Sequence, residues 1–281
     1  MNELKAYIQS IEPQLLNHIS GKMGELVKLV KDKKPISEDV LIHHFCGSAH
    51  PRKYYHNLKS RTLKILQALA IVSHAKGASE VKKKLDNCRK NFTIGQKFLG
   101  KGEKNEGVRL IRLAHRTAVE YDFVHMACEL SATLHHHHVY YQPHKKKAAA
   151  YAAQVTHYAD AYRNEKKIEQ WFYHVIAHLS GPVSHKELQH AVENIAPIKA
   201  LSLKSRTYQS MVKVIYLMQV GNYAHVIENC AEMLRYYQGQ KGAYHSHVLF
   251  FLTHKGLAHV AGEQYGKAAK TFITAKEYTS C

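Results

Sequence analysis

Apolar residues recur at three- and four-residue spacing along almost the whole chain, and no run alternates apolar and polar residues with the period of a strand. The spacing predicts helices over about 2–19, 22–33 and 37–46, with a stop at Pro35 and an N-cap at Ser37. A turn around Gly47–Pro51 leads into a longer helix, about 52–73. Its Leu58, Thr62, Ile65, Leu66, Leu69 and Val72 share one stripe at roughly 100° per residue. Ser79 is placed to cap the next helix, SEVKKKLDNCRKNFTIGQKFL, which Gly100 and Gly102 end. NEGVRLIRLAHRTAVEY begins another helix, about 123–141 forms one more, and about 144–179 forms a very long one. Gly181–Pro182 interrupts the pattern, so the main internal boundary is expected at about 180–184. Helices follow at about 184–195, 203–219, 222–237, 243–261 and 263–279.

The last four helices read as two pairs, each joined by a short Gly-containing turn followed by Tyr, in QVGNYAHVIENC and VAGEQYGKAAKTF. Tyr223 and Tyr265 stand 42 residues apart, inside the range of internal periods that indicates stacked helical hairpins but away from the usual tetratricopeptide period. Within the second pair Gly256, Tyr265, Ala268, Phe272 and Ala275 follow one another at intervals of nine, three, four and three. That spacing resembles the tetratricopeptide pattern, in which small residues let paired helices approach and aromatics fill the space between hairpins. The pair at 203–237 departs from it, with Val214 and Val226 for small residues and Cys230 for the aromatic, and 83–121 follows it only in outline. The segment KKPISEDVLIHHF…KYYHNLKSRTLKILQALA is also similar to the opening of helical-repeat proteins of Bacteroidota, a similarity that brings no activity with it. The resemblance implies an all-α chain, a right-handed α-solenoid of antiparallel helical hairpins. Three regions are expected: 1–76, helical with a basic helix; 77–180, hairpins with one very long helix; and 184–281, tetratricopeptide-like hairpins.

Composition adds a compartment and a partner chemistry. Six prolines and fifteen glycines in 281 residues suit long helices. The amphipathic N-terminus MNELKAYIQSIEPQLL has no apolar signal core, and no apolar run reaches membrane-spanning length. Five scattered cysteines without a CxxC pair suit a reducing cytoplasm. The formal charge of +18, with 23 histidines besides, favours an acidic protein or nucleic acid as partner.

Candidate chemistry is concentrated in three places. From Val40 to Ser79 there are six basic residues and no carboxylate, and RKYYHNLKSRTLK interleaves cations with aromatics as nucleic-acid binders do. Tyr54 and Tyr55 fall on the apolar side of that helix and read as core. Lys53 and Lys64 project opposite, flanked by Lys59 and Arg61, and Lys82, Lys83, Lys84, Arg89 and Lys90 follow; together these could hold phosphates. The plainer reading of the same residues is a solvated basic face. His174 and His178 share a helix face at i, i+4, a pair usable by a metal, although pairs alone complete no site and no cofactor is expected. In the tetratricopeptide-like register Phe250, Thr253 and Leu257 would face a groove for a partner, unless the long 144–179 helix folds back over them.

No phosphate loop ending in GK[ST], no GxSxG and no paired carboxylates stand out, so a non-enzymatic scaffold is expected. The expected partner is an acidic protein bound by the C-terminal hairpins. A nucleic-acid-associated factor using Lys53–Lys90 is the alternative, and a homo-oligomer the third reading.

Overall fold

The structure, a computed structural model, describes residues 2–11, 13–31, 37–46, 52–72, 79–178 and 185–279, and among them every regular element is helical. The expected stops at Pro35, Gly47–Pro51 and Gly181–Pro182 lie outside the described residues, as do the side chains of Val72 and His178. The chain forms two compact units, Met1–Asp86 and Asn87–Cys281.

The first unit holds α1 (Asn2–Ser10), α2 (Pro13–Leu16), α3 (Gly21–Lys31), α4 (Glu38–Cys46) and α5 (Arg52–Val72). The single helix expected over 2–19 is divided, because Pro13 has no amide hydrogen to continue a helix and instead opens a new one. Ser37 caps α4 as its sequence suggests, its hydroxyl accepting from Val40 N at 3.3 Å. The basic helix α5 is the centre of this unit and packs on α1, α3 and α4. Tyr55, Leu58, Thr62 and Leu66 form its buried row, none more than 8% exposed, with Tyr54, Ile65 and Leu69 partly buried beside them. Thr62 survives inside that row because its hydroxyl donates to Leu58 O at 2.8 Å. Burial, aided by the Glu38 carboxylate, pushes the Tyr55 phenol up to about 12.

Helix α6 (Glu80–Gly100) passes from the first unit into the second and is capped by Ser79, whose hydroxyl accepts from Lys82 N at 3.3 Å. The second unit continues with α7 (Lys104–Glu120), α8 (Val124–Tyr140), α9 (Lys145–His178), α10 (His185–Ile195), α11 (Leu203–Gln219), α12 (Tyr223–Tyr237), α13 (His245–Ala261) and α14 (Tyr265–Thr279). From α7 to α14 each helix packs on the next, and α9 packs in addition on α11.

Three of its helix pairs, α6/α7, α11/α12 and α13/α14, are built in one register. Each turn places one residue in the left-handed region: Gly102 at φ 86°, Gly221 at 73° and Glu263 at 57°. The following amide then reaches back five residues, Glu103 N to Phe98 O at 2.9 Å, Asn222 N to Leu217 O at 2.9 Å and Gln264 N to His259 O at 2.8 Å. Seven positions before each such residue stands Gly95, Val214 or Gly256. Beyond the turn the matching positions Gly107, Val226 and Ala268 are buried, and so are Ala114, Met233 and Ala275. A Cβ on Gly95 would lie 2.8 Å from Ile111, and one on Gly256 would lie 2.6 Å from the Phe272 ring. Small residues therefore set the interhelix distance in the first and third pairs, as the Gly256–Ala275 spacing implies.

Gly256→Ala tests that packing. Helix propensity alone would favour alanine by up to about 1 kcal/mol, whereas a methyl forced against the ring costs ~1–3 kcal/mol. The variant is expected to lose about 1 kcal/mol in urea unfolding, with part of the loss recovered by adding Phe272→Leu. A more stable Gly256→Ala would show the contact to be slack.

Candidate functional site

The N-terminus of α11 gathers the largest set of buried polar groups. Ser202 caps the helix, its hydroxyl accepting from Ser205 N at 3.0 Å while the Ser205 hydroxyl accepts from Ser202 N at 2.9 Å. The Ser202 hydroxyl also donates to Glu165 of α9 at 2.7 Å, and Leu203 N donates to the Asp122 carboxylate from the α7–α8 turn. The next residue, Lys204, reaches Glu169 at 2.6 Å and Glu165 at 3.6 Å, and Lys166 holds the other Glu169 oxygen at 2.6 Å. Glu165 and Glu169 are only 6% and 8% exposed, so Lys204 is what makes their burial tolerable.

This arrangement separates the titrations around it. Burial pushes Asp122 up to about 6, against the Leu203 amide, which favours its charged form. Burial also raises Glu169, but the hydrogen bonds from Lys166 and Lys204 outweigh it and the group ends below its ordinary value. Across from Lys204, burial and then the Lys204 charge bring His247 down to about 4. Tyr208, stacked on Phe172 at 4.2 Å, carries Lys204 Nζ 5.4 Å from its ring centre and faces His247 at 5.9 Å. The node is an ion-locked joint between α9 and α11 with aromatic walls. Its acids are held by lysines, by the Ser202 hydroxyl and, for Asp122, by the Leu203 amide.

The phosphate candidates divide. Lys59 is taken by Glu38 at 2.7 Å, which holds that carboxyl below its ordinary value, and Lys84 lies 3.5 Å from Glu80. Lys53, Arg61 and Lys64 are exposed on α5, and Lys82 and Lys83 on α6. In the second unit Arg89 is exposed and Lys90 half-buried. Arg61 also borders a cleft of about 440 Å³ with Lys22, Asn57 and Tyr54, in which Lys22 Nζ sits 5.1 Å from the Tyr54 ring centre.

The groove candidates divide too. Phe250 packs on the α9–α11 cluster containing Phe172 and Tyr208 and lies 3.9 Å from the His254 ring, whereas Thr253 and Leu257 are exposed. Leu257 adjoins an apolar surface on the last pair: Leu257 is 44%, Val260 40%, Tyr265 65%, Phe272 36% and Ile273 58% exposed. At the Phe272 position of both other pairs, and at the Leu257 position of α11/α12, the matching residues are covered. Ile111 and Cys230, which correspond to Phe272, are 0% exposed, and Ile215, which corresponds to Leu257, is 8% exposed.

Among the described residues no three His, Cys, Asp or Glu side chains come together as metal ligands. His174 is exposed, with its ring against the edge of Trp171 at 5.8 Å. The His135–His138 run works structurally at the end of α8. His135 bonds Ala148 O at 2.9 Å, His138 bonds Gln142 O at 3.3 Å, and His138 stacks on Tyr151 at 5.8 Å. Burial pushes the Cys88 and Cys230 thiols up to about 11 and about 12, away from thiolate chemistry.

Two outcomes are expected of the node. Lys204→Met leaves Glu165 without a cation and Glu169 with Lys166 alone, so unfolding in urea at pH 7 should show a loss of roughly 3 kcal/mol. His247, depressed in the folded state, contributes stability above pH 6.5 that fades as pH falls toward 4, by up to roughly 3 kcal/mol. Asp122, raised in the folded state, acts oppositely, its ionisation costing stability as pH rises from about 4 to about 6. Thermal unfolding of His247→Phe should therefore lose less on going from pH 7 to pH 5 than the parent, and Asp122→Asn should lose more. Parallel profiles for all three would contradict the assignment.

Comparison with known protein families, with curated proteins and with solved structures found no match to this chain.

Proposed function

We propose that the chain is a non-enzymatic, tetratricopeptide-like scaffold whose α13–α14 face receives an amphipathic helix from an acidic protein partner. One observation carries the reading: side chains that a neighbouring helix covers in the earlier pairs, Ile111 and Cys230, have an uncovered counterpart in Phe272. Leu257, Tyr265 and Ile273 on the same helix pair are exposed as well, and exposed apolar side chains grouped in this way mark interaction sites. Lys267 and Lys270 are exposed on the same helix, so a partner carrying carboxylates around an apolar stripe is complementary to it. In this reading the three like-built pairs belong to a right-handed solenoid, and the protein works in the cytoplasm.

A second reading keeps its footing in one observation. Lys53, Lys64, Lys82 and Lys83 are exposed and form no ion pair with the described residues, so they are available to nucleic-acid phosphates.

A photo-crosslinking residue at Ile273, with Gln238 as control, separates the two in lysate of the source cell. A discrete protein adduct at position 273 alone is expected, and excess unlabelled chain should compete it away. A Tyr265→Ser/Ile273→Ser competitor should be at least tenfold weaker while unfolding within about 0.5 kcal/mol of the parent, because both residues are exposed. Equal adducts at both positions would refute the site. Recovery of nucleic acid instead, with binding that falls steeply with salt, would favour the phosphate reading.

A further inference from the structure

The corner between α8 and α9 contributes no residue to the ion node or to the open α14 face. From Leu130 to Ala159 the chain carries no carboxylate, and the corner inside that stretch reads VYYQPHKKK. Tyr140, the last residue of α8, is 70% exposed and Tyr141 is 50% exposed. Lys145, Lys146 and Lys147 form the first turn of α9, and all three are exposed. At about 100° per residue they fan through roughly 200° around the start of that helix.

Helix α7 brings two further cations to the same place. Lys104 Nζ sits 4.6 Å from the Tyr141 ring centre, and the Arg112 guanidinium is 3.4 Å from His138 Nε2 at the end of α8. Both are exposed, and none of the five cations forms an ion pair with the described residues. Of the acids at the start of α7, Glu106 is held by Arg109 at 2.8 Å and Glu103 stands exposed at the N-cap.

Such crowding works against the free protein. Cations in the first turn of a helix face the positive end of its dipole, and α9 has no acid there to offset them. The field reaches inward: burial and then the His137, Arg112 and Lys147 charges hold the His138 imidazole below its ordinary value. A local rule broken without internal compensation is expected at a functional site. The backbone beneath is fixed, because Gln142 N and His144 N reach back to His137 O and His138 O, each at 3.0 Å. The His136 ring lies 4.7 Å from that of Tyr140 and steadies it, while most of Tyr140 stays open. A ligand that stacks there has little further ordering to impose.

We propose that this corner binds single-stranded nucleic acid, with Lys104, Arg112 and Lys145–Lys147 on the phosphates and a base stacked on Tyr140. Beside the tyrosines the corner exposes one large aliphatic side chain, Val139. A bilayer anchor or an amphipathic helix needs a broader apolar stripe, whereas a base needs one open ring among cations.

The whole chain is to be titrated into a fluorescein-labelled oligouridylate of about twelve nucleotides and followed by anisotropy at several salt concentrations. Saturable binding is expected, tighter than to a duplex of equal length, whose paired bases cannot reach Tyr140. Tyr140→Ala should weaken it at least fivefold and leave its salt dependence unchanged, since the ring carries no charge. Lys145→Gln/Lys146→Gln/Lys147→Gln should weaken it too, and should lower the slope of log K against log salt by about 2, at ~0.7 per phosphate contact. That variant should melt at or above the parent temperature, because it relieves the start of α9. Lys53→Gln/Lys64→Gln/Lys82→Gln/Lys83→Gln and Tyr265→Ser/Ile273→Ser should bind as the parent does, which separates this surface from the two described above. The proposal fails if binding does not saturate, if the duplex binds more tightly, or if Tyr140→Ala binds like the parent. It fails equally if the Lys145–Lys147 variant keeps full binding, or if the chain cosediments with phosphatidylserine vesicles and not with the oligonucleotide.

Discussion

The second unit depends on burying the acids of α9 against the start of α11. Two glutamates one helical turn apart enter a nearly dry interface, and in isolation each would be driven to take up a proton. Lys166 and Lys204 prevent this for Glu169, while the Ser202 hydroxyl and the Lys204 ammonium at the start of α11 hold Glu165. Asp122 binds the same end from the α7–α8 turn, through the amide of Leu203. The joint thus couples three segments far apart in sequence. It does so through directional contacts, and apolar packing alone would leave the slide of α11 along α9 poorly defined.

The repeated pairs solve a different problem. A helical hairpin cannot bury its apolar face by itself, so each pair passes the requirement to the next. In α11/α12 the transfer is complete: Val226, Cys230 and Met233 disappear beneath a neighbour. In α13/α14 the small residues still close the pair, with Gly256 against the Phe272 ring, yet the outer side of that ring stays half open. The binding surface proposed above uses this half-open ring, at the position where Ile111 and Cys230 of the other pairs are buried.

Much of this could be read in the chain. Helix positions emerged because apolar periodicity and the caps Ser37 and Ser79 act within a few residues of each other, and the burial of Tyr55 followed from its side of the α5 wheel. The Gly256–Ala275 spacing was legible for the same reason, being contained within one hairpin. What sequence could not show is tertiary. Asp122 carries no signal in the chain, since the amide that it holds is eighty-one residues away. The pairing of Lys59 with Glu38 joins two helices across a segment with no regular signal.

The charge distribution connects these features to partner choice. Of the acids in the second unit, Asp122, Glu165 and Glu169 are turned inward and matched locally, so they do little to offset the surrounding potential. Because Lys166 and Lys204 are used in the same pairs, the exposed surface keeps the positive excess that the net charge of +18 describes. Such a field draws acidic macromolecules in without discriminating among them, and weakens with salt. Discrimination has to come from short-range complementarity, which at the α14 face means an apolar stripe of the right spacing to cover Tyr265, Phe272 and Ile273. Under the proposed scaffold function, the exposed lysines would govern encounter, and the uncovered Tyr265, Phe272 and Ile273 would govern how long a partner stays.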